Sequence, residues 1–126
     1  DHLPVLEIRD PENLERGSKK SFKPDLVFLL ARTIFIVEIK PAFSLADHRK
    51  QLELVQSRER IDMFWMELKL RKVSAPPFGN VYANRKSFDI GAALAFEGTM
   101  EPDPILWLIC GTRGRFIFHA PSGRHG

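Results

Sequence analysis

The sequence predicts an α/β (α+β) domain with a mixed central sheet and flanking helices. Two short apolar runs at residues 26–30 and 34–39 have the length of buried strands, and each carries charged residues at one end. A segment with helix-capping signals follows them, and two more apolar runs lie near the end of the chain. This order, with strands before a helix and further strands after it, is typical of an α/β domain.

The composition is that of an ordinary globular domain. The 126 residues are 44% hydrophobic and 28% charged, which suits one hydrophobic core. No apolar run approaches the roughly 20 residues of a membrane span, and no secretory leader is visible. Cys110 is alone, which excludes an internal disulfide and a cysteine-rich zinc site. We therefore expect a single intracellular domain over residues 1–126, cytoplasmic or nuclear, without membrane contact and with a frayed tail from residue 121.

The first elements are predicted to be a strand and then a hairpin. Residues 3–8 have the pattern of a first strand, and residues 10–21 form a polar connection or a short helix. The runs at 26–30 and 34–39 are expected to pair as a hairpin. Pro41 should end its second strand, because proline cannot donate to the ladder.

A helix is predicted directly after the hairpin. Ser44 is a suitable N-cap, because Asp47 follows three residues later at the spacing of a capping box. The helix should last to about Arg60. Its apolar residues near one face are Leu45, Leu52 and Val55. Residues 64–71 alternate between apolar and polar types, which favours a strand, although continuation of the helix is the alternative.

The rest of the chain is predicted to form loops and strands. Residues 75–80 contain Pro-Pro and Gly-Asn and indicate a loop. Residues 88–96 are apolar at every second position, which suits a strand, while their alanines would also suit a helix. After a proline-containing turn, the runs at 105–110 and 115–119 should form a hairpin across residues 111–114.

The charged ends of the first hairpin form a candidate metal site. Side chains two apart in a strand share a face, so we expect Glu38 and Lys40 to point the same way and Ile39 to point into the core. The pairing of the two strands brings Asp25 beside them. Asp25 and Glu38 offer oxygen ligands that suit Mg²⁺ or Mn²⁺, and the carbonyl of Ile39 could supply another. Lys40 would stabilise charge on a phosphorane-like transition state and orient or deprotonate the attacking water.

Pro24-Asp25, followed after a strand by Glu38-Ile39-Lys40, resembles the P-D…(D/E)-x-K signature of the restriction-endonuclease-like, or PD-(D/E)XK, nuclease superfamily. The flanking pattern agrees, with apolar strands before each half of the motif and a helix just after Lys40. The resemblance implies a restriction-endonuclease-like core, metal ligation by Asp25 and Glu38, and a catalytic role for Lys40. The implied activity is hydrolysis of phosphodiester bonds by metal-activated water, with Mg²⁺ or Mn²⁺ as cofactor. DNA is favoured over RNA as the nucleic acid, and an endonuclease over an exonuclease.

The chain departs from the pattern of that superfamily in two places. Several branches carry a glutamine on the next helix, followed four residues later by a tyrosine. Gln51 lies at a suitable distance and is a catalytic candidate, but Val55 stands at the position of the tyrosine. Many branches also use an acid from an N-terminal helix, which is not visible here. The earlier acids are Glu7, Asp10, Glu12 and Glu15. Either the helix belongs to a longer parent chain, or one of these acids replaces it, or the site has fewer ligands.

The sub-branch stays open. The Glu-Ile-Lys-Pro segment at 38–41 and the basic helix after it resemble transposon-end endonucleases and phage junction resolvases. The late hairpin, over residues 105–118, is more similar to the nuclease domains of type I restriction enzymes. A net charge of +3 and a pI near 9.3 permit contact with polyanions, and Arg113 at the hairpin tip is a candidate DNA contact.

A function without catalysis is the alternative. In that case Asp25 only opens a strand, Glu38 and Lys40 form a solvated ion pair, and the domain binds nucleic acid or a protein partner. A protein-interaction domain without a nucleic-acid role is a third reading, and a homodimer is also left open. The remaining candidates have structural readings: surface or terminal positions for the histidines, core packing or base stacking for Trp65 and Trp107, and a buried apolar position for Cys110.

Overall fold

The computed structural model describes residues 2–3, 7–8, 12, 21–70 and 76–123. Within these residues the chain forms one six-stranded sheet and three α-helices. The strands are β1 (His2–Leu3), β2 (Leu26–Leu30), β3 (Thr33–Lys40), β4 (Asp89–Glu97), β5 (Trp107–Thr112) and β6 (Arg115–His119), and the helices are α1 (Leu45–Gln56), α2 (Arg58–Leu70) and α3 (Pro76–Ala83). In this part of the chain, no helix is long and apolar enough to cross a membrane.

The sheet is mixed, and its strands lie side by side in chain order. The pairs β1–β2, β2–β3 and β5–β6 are antiparallel, whereas β3–β4 and β4–β5 are parallel. A parallel pair requires a crossover connection, and the three helices form the one between β3 and β4. The predicted mixed sheet with helices is therefore confirmed.

The first hairpin forms at the predicted positions, since β2 and β3 pair from Leu26 opposite Val37 to Leu30 opposite Thr33. Alternate residues of β3 contribute to two different cores. Ile34 and Ile36 pack against α2 and α3 in one cluster, while Phe35 and Val37 belong to a cluster on the opposite face of the sheet. This opposite face is rich in rings: Phe28, Phe35, Trp107 and Phe118 contact one another there.

The helical region differs from the prediction. Ser44 caps α1 as expected, but α1 ends at Gln56, and the Ser57 side chain accepts a hydrogen bond from the N–H of Arg60 at the start of α2. Leu45, expected near the apolar face, is exposed, whereas Leu52 and Val55 pack against the core.

The predicted strand at residues 64–71 is wrong, because α2 continues to Leu70. Its buried residues are spaced by three and four positions: Arg60, Phe64, Glu67 and Leu68. Met66 and Leu70, which the alternating pattern placed on the buried face, are 49% and 68% exposed. Helical packing of every third or fourth side chain thus decides the structure of this segment, and the alternation is accidental.

The predicted loop at residues 75–80 is also wrong where the structure describes it, since α3 begins at Pro76. Proline is compatible with the first turn of a helix, because the N–H groups there have no intrahelical partner. The ambiguous segment at 88–96 forms strand β4, which lies between two parallel neighbours. Small residues such as Ala92 and Ala93 suit such a strand, because both of its faces are buried.

The predicted second hairpin is confirmed, with a shorter turn than expected. β5 extends through Thr112 and β6 begins at Arg115, so only Arg113 and Gly114 form the turn. Both have positive φ, at 55° and 76°, as a two-residue type I′ turn requires. The remaining predictions fall partly outside the described residues. The structure does not describe residues 4–6 of the first strand, most of the connection at 10–21 or residues 124–126 of the tail. Within the tail, Ser122 and Gly123 donate backbone hydrogen bonds to the carbonyls of Asp103 and Pro104.

Candidate metal site at the end of the β2–β3 hairpin

Asp25 and Glu38 meet at the open end of the first hairpin. Because Leu26 pairs with Val37, the residues just beyond them, Asp25 and Glu38, face each other across the two strands. Asp25 Oδ2 accepts a hydrogen bond from the backbone N–H of Ile39 at 2.8 Å, which fixes the carboxylate beside β3. Asp25 is exposed, whereas Glu38 is only 5% exposed. The hairpin thus brings together the two carboxyl groups that the sequence motif separates by thirteen positions.

The pKa of Glu38 is raised above its ordinary value. Burial is the main cause, and the adjacent Asp25 adds to it through its charge and a shared hydrogen bond. The charge and hydrogen bond of Lys50 act in the opposite direction without cancelling the shift. The protein therefore holds an acidic group in a place where its charged form is disfavoured. A cation bound beside Glu38 would relieve this cost.

Lys50 of α1 is the closest cationic group to Glu38 in the described structure, and its Nζ lies 3.2 Å from Glu38 Oε1. The sequence interpretation missed this residue. Its position on the predicted helix could have indicated it, since Lys50 lies three residues after Asp47 and next to Gln51, both of which approach the sheet. Lys50 Nζ also lies 5.5 Å from the centre of the Phe22 ring.

Lys40 extends from the same face of β3 as Glu38, as predicted, since both side chains meet residues of α1. Its side chain is half exposed, and its Nζ lies 3.9 Å from Asp47 Oδ2. That oxygen of Asp47 is buried and has no hydrogen-bond partner. Lys40 is therefore held loosely near the first turn of α1, and its half-exposed side chain is accessible to a ligand from solvent.

The expectation that Ile39 points into the core is wrong. Its side chain is 50% exposed and lines an apolar groove of about 450 Å³ on the face of the sheet opposite the helices. Ala95, Ile109 and Phe116 also line this groove. The alternation of side chains along β3 explains this result. The helices cover the face of the sheet that carries Ile36 and Glu38, and the side chains between them therefore point to the opposite face.

Gln51 lies between α1 and the sheet and is fully buried. Its Nε2 donates hydrogen bonds of 2.8 Å to the backbone carbonyls of Ile36 in β3 and Ala93 in β4. These bonds tie the helix to the two central parallel strands. Gln51 therefore positions α1 on the sheet, and its contact with Ile36 lies two residues before Glu38 on β3.

Replacement of Gln51 by leucine should lower the free energy of unfolding by about 2 kcal/mol, because two buried carbonyls lose their side-chain donor. The measurement is chemical denaturation of the variant beside the wild-type domain. Substitution of the exposed neighbour Gln56 by leucine is the matched control and should change stability by less than about 0.5 kcal/mol. A Gln51→Leu variant as stable as the control would show that these hydrogen bonds contribute little.

The donor atoms suit a hard divalent ion, although the described residues contain no group of three or more acidic, histidine or cysteine side chains that could hold one. Neither Glu7 nor Glu12 therefore completes such a group, and Asp10 and Glu15 lie outside the described residues. Mg²⁺ commonly takes one or two carboxylates and completes its shell with water and substrate phosphate. The carbonyl of Ile39 is a further donor, because in a strand it points to the same side as the N–H that binds Asp25.

A second polar pair lies on the other side of α1. His48 Nε2 lies 2.6 Å from Asp103 Oδ1, and Asp103 Oδ2 accepts hydrogen bonds from the N–H groups of Ile105 and Leu106. Burial acts to raise the pKa of Asp103, but the hydrogen bonds from His48 and from the two backbone groups lower it overall. The surface position expected for His48 is therefore wrong. The pair fastens the connection between β4 and β5 to α1.

The other candidate residues occupy ordinary positions. Arg113 is exposed at the tip of the second hairpin. Trp107 packs edge-on against Phe35 with ring centres 4.9 Å apart, in agreement with a core role. Cys110 is buried as expected, and burial raises the pKa of its thiol.

Comparison with known proteins does not assign this chain to a family. No protein-family model matches it, and no curated protein or solved structure shows significant similarity to it. Its function must therefore be inferred from the arrangement of its own residues.

Proposed function

We propose that this chain is a metal-dependent nuclease domain of the PD-(D/E)XK type, an endonuclease that hydrolyses phosphodiester bonds in DNA. The observation that carries the proposal is the pair formed by Asp25 and the buried Glu38 at the end of two adjacent strands. Lys40 lies two residues further along the same strand, and a capped helix begins directly after it. An antiparallel hairpin followed by a helical crossover to a parallel strand is also compatible with a restriction-endonuclease-like core.

The residues of the site have complementary roles in this proposal. Asp25, Glu38 and the carbonyl of Ile39 would hold Mg²⁺ or Mn²⁺, and the ion would supply Lewis acidity for activation of water and for charge on the phosphate. The N–H of Ile39 fixes Asp25 at the correct edge of the sheet before any ion binds. Lys40, with a half-exposed ammonium group, would contact the scissile phosphate or orient the attacking water.

A purely structural role for the carboxylate pair is less satisfactory. Burial raises the pKa of Glu38 and the adjacent Asp25 adds to the shift, so the fold bears the cost of holding this acid. Groups held in such unfavourable environments are concentrated at functional sites. A DNA substrate would place the domain inside the cell, in the cytoplasm or the nucleus.

A nuclease-fold module without catalysis is the second candidate, and two observations favour it. Lys50 already binds Glu38, and the described residues offer no third acid to the pair. Such a module would bind nucleic acid or a protein partner through the same fold. Its carboxylates would then serve only to position α1 on the sheet.

Incubation of the domain with supercoiled plasmid and Mg²⁺ or Mn²⁺ tests the proposal. The wild type should nick or linearise the plasmid, EDTA should stop the reaction, and Asp25→Ala and Lys40→Ala should each reduce cleavage at least about 100-fold. Lys69→Ala, at an exposed position on α2, is the matched control for the loss of a lysine.

The other possible results of the plasmid assay contradict the proposal or favour another function. Cleavage that survives both substitutions would exclude this site as its source. Salt-dependent binding of DNA without cleavage in either metal would favour the module, and DNA binding too weak to show salt dependence would favour a protein-interaction domain.

A further inference from the structure

Lys50 occupies the side of Glu38 that faces α1. Its Nζ lies 3.2 Å from Glu38 Oε1, at the distance of a charge-assisted hydrogen bond. The Glu38 side chain is almost fully buried, whereas the Lys50 side chain is about one third exposed. The acid is therefore fixed by the strand, while the lysine reaches it from a flexible stem with a path to solvent.

An ion bound to the carboxylate of Glu38 would lie within a few ångströms of this ammonium group. Two cations at such a distance repel strongly at the edge of a protein core, where the effective dielectric constant is well below that of water. The Glu38 side chain is almost fully buried on a central strand, which limits its freedom to turn away. Lys50 is the partner that can move, because its stem has several rotatable bonds and Glu38 belongs to a central strand.

We propose that Lys50 is the resident cation of the carboxylate pair, and that a divalent ion must displace it from Glu38 in order to bind. This inference rests on the proposed function, because it concerns the ion that the same site would hold. Lys50 balances the charge of Glu38 in the metal-free protein and lowers the affinity of the site for the ion. The site is thereby kept intact without metal and is occupied only when the ion concentration is high enough to compete.

In the same position Lys50 Nζ also lies 5.5 Å from the centre of the Phe22 ring, and the Lys50 side chain is about one third exposed, so its ammonium group has a path to solvent beside its contact with Glu38. A displaced Lys50 therefore needs only a change of side-chain rotamer, and α1 need not move. The hydrogen bonds of Gln51 to both central strands keep α1 in place during that change.

The test is Mn²⁺ binding without any nucleic acid, measured by calorimetry and by the electron paramagnetic resonance signal of the free ion. Lys50→Met should bind Mn²⁺ about tenfold more tightly than the wild type, because the competing charge is gone. Lys50→Gln provides a second neutral variant and should also bind more tightly. Lys50→Arg keeps the charge and should stay within about twofold of the wild type.

Arg49→Met is the matched control, because it removes one positive charge from the exposed neighbouring position on α1. It should change the Mn²⁺ affinity by less than about twofold, since an exposed charge is screened by solvent. Thermal unfolding of each variant verifies that it is folded under the conditions of the titration.

The outcomes separate this inference from the proposed function. Equal affinity of the wild type and both neutral variants, with binding that is lost in Asp25→Ala, would overturn the role of Lys50 and leave the metal site standing. Weaker binding in both neutral variants would also overturn it, since Lys50 would then support the ion. Absence of Mn²⁺ binding from the wild type and every folded variant would overturn the metal site and the inference together.

Discussion

Replacement of Glu38 by glutamine is expected to reduce Mg²⁺-dependent cleavage of plasmid DNA at least about 100-fold, because the neutral amide binds a hard cation poorly. The same change should not unfold the protein. Glutamine has the shape of glutamate, and the buried charge that it removes is one that the fold disfavours. A residue that is needed for activity and is unfavourable for stability is the signature of a functional site.

The pH dependence of stability gives a second measurement on this variant. The folded state raises the pKa of Glu38, so folding favours its protonated form. The stability that this carboxyl contributes is therefore complete below the ordinary pKa of glutamate and is lost as the pH rises through the raised value. The glutamine variant does not titrate at this position. Its free energy of unfolding should increase relative to that of the wild type over this rise in pH, as measured by urea denaturation across the acidic and neutral range.

Glu53→Gln is the control for both measurements. Glu53 lies on α1, more than half exposed, and pairs with Arg60 rather than with the carboxylate site. Its substitution should leave cleavage and the pH dependence of stability unchanged. Full cleavage by Glu38→Gln would contradict the assignment of Glu38 as a metal ligand. A loss of stability in that variant that stays constant with pH would instead identify Glu38 as a structural partner of Lys50.

The sequence was sufficient to predict the hairpins and the helix cap, because their signals are local. The bounds of β2 and the N-cap at Ser44 follow from periodicity and capping chemistry, whereas the pattern of residues 88–96 suited a strand without excluding a helix. The segment at 64–71 was mispredicted because its alternation of apolar and polar residues extends over only four pairs. Tertiary packing can override so short a pattern. The parallel pairing of β3 with β4 could not be predicted, since it depends on how the three helices between these strands cross the sheet.

Only those residues of the candidate site that belong to one hairpin could be predicted from the sequence. Asp25, Glu38 and Lys40 fall within sixteen residues, and the pairing of β2 with β3 determines their neighbourhood. Lys50 reaches Glu38 from a helix whose rotation about its axis is set by the contacts of Gln51 and Leu54 with the sheet, which no local signal specifies. The pairing of His48 with Asp103, separated by 55 positions, was hidden for the same reason.

Replacement of Gly111 by alanine should destabilise the domain by about 3 kcal/mol or more and lower its melting temperature by about 10 °C. Gly111 was expected to begin a turn, but it lies within β5, opposite Phe116 of β6. A Cβ atom at this position would overlap the backbone carbonyl of Arg115 and come within 3.1 Å of the Cα of Phe116. Backbone atoms cannot rotate away as a side chain would. The variant must therefore move β6 and lose part of its ladder with β5.

Gly114 offers the matched control in the same hairpin, and calorimetry of the two variants beside the wild type provides the measurement. Gly114 has a φ of 76°, and no heavy atom lies within 4 Å of a Cβ built there, so its requirement is conformational rather than steric. Asparagine tolerates this region of backbone space, and Gly114→Asn should lower stability by no more than about 1 kcal/mol. A Gly111→Ala variant that melts within about 2 °C of the wild type would contradict the close approach of β6 to β5. A large loss in Gly111→Ala with a small one in Gly114→Asn would show that the close contact between the two strands limits the stability of the hairpin, because both glycines belong to that hairpin.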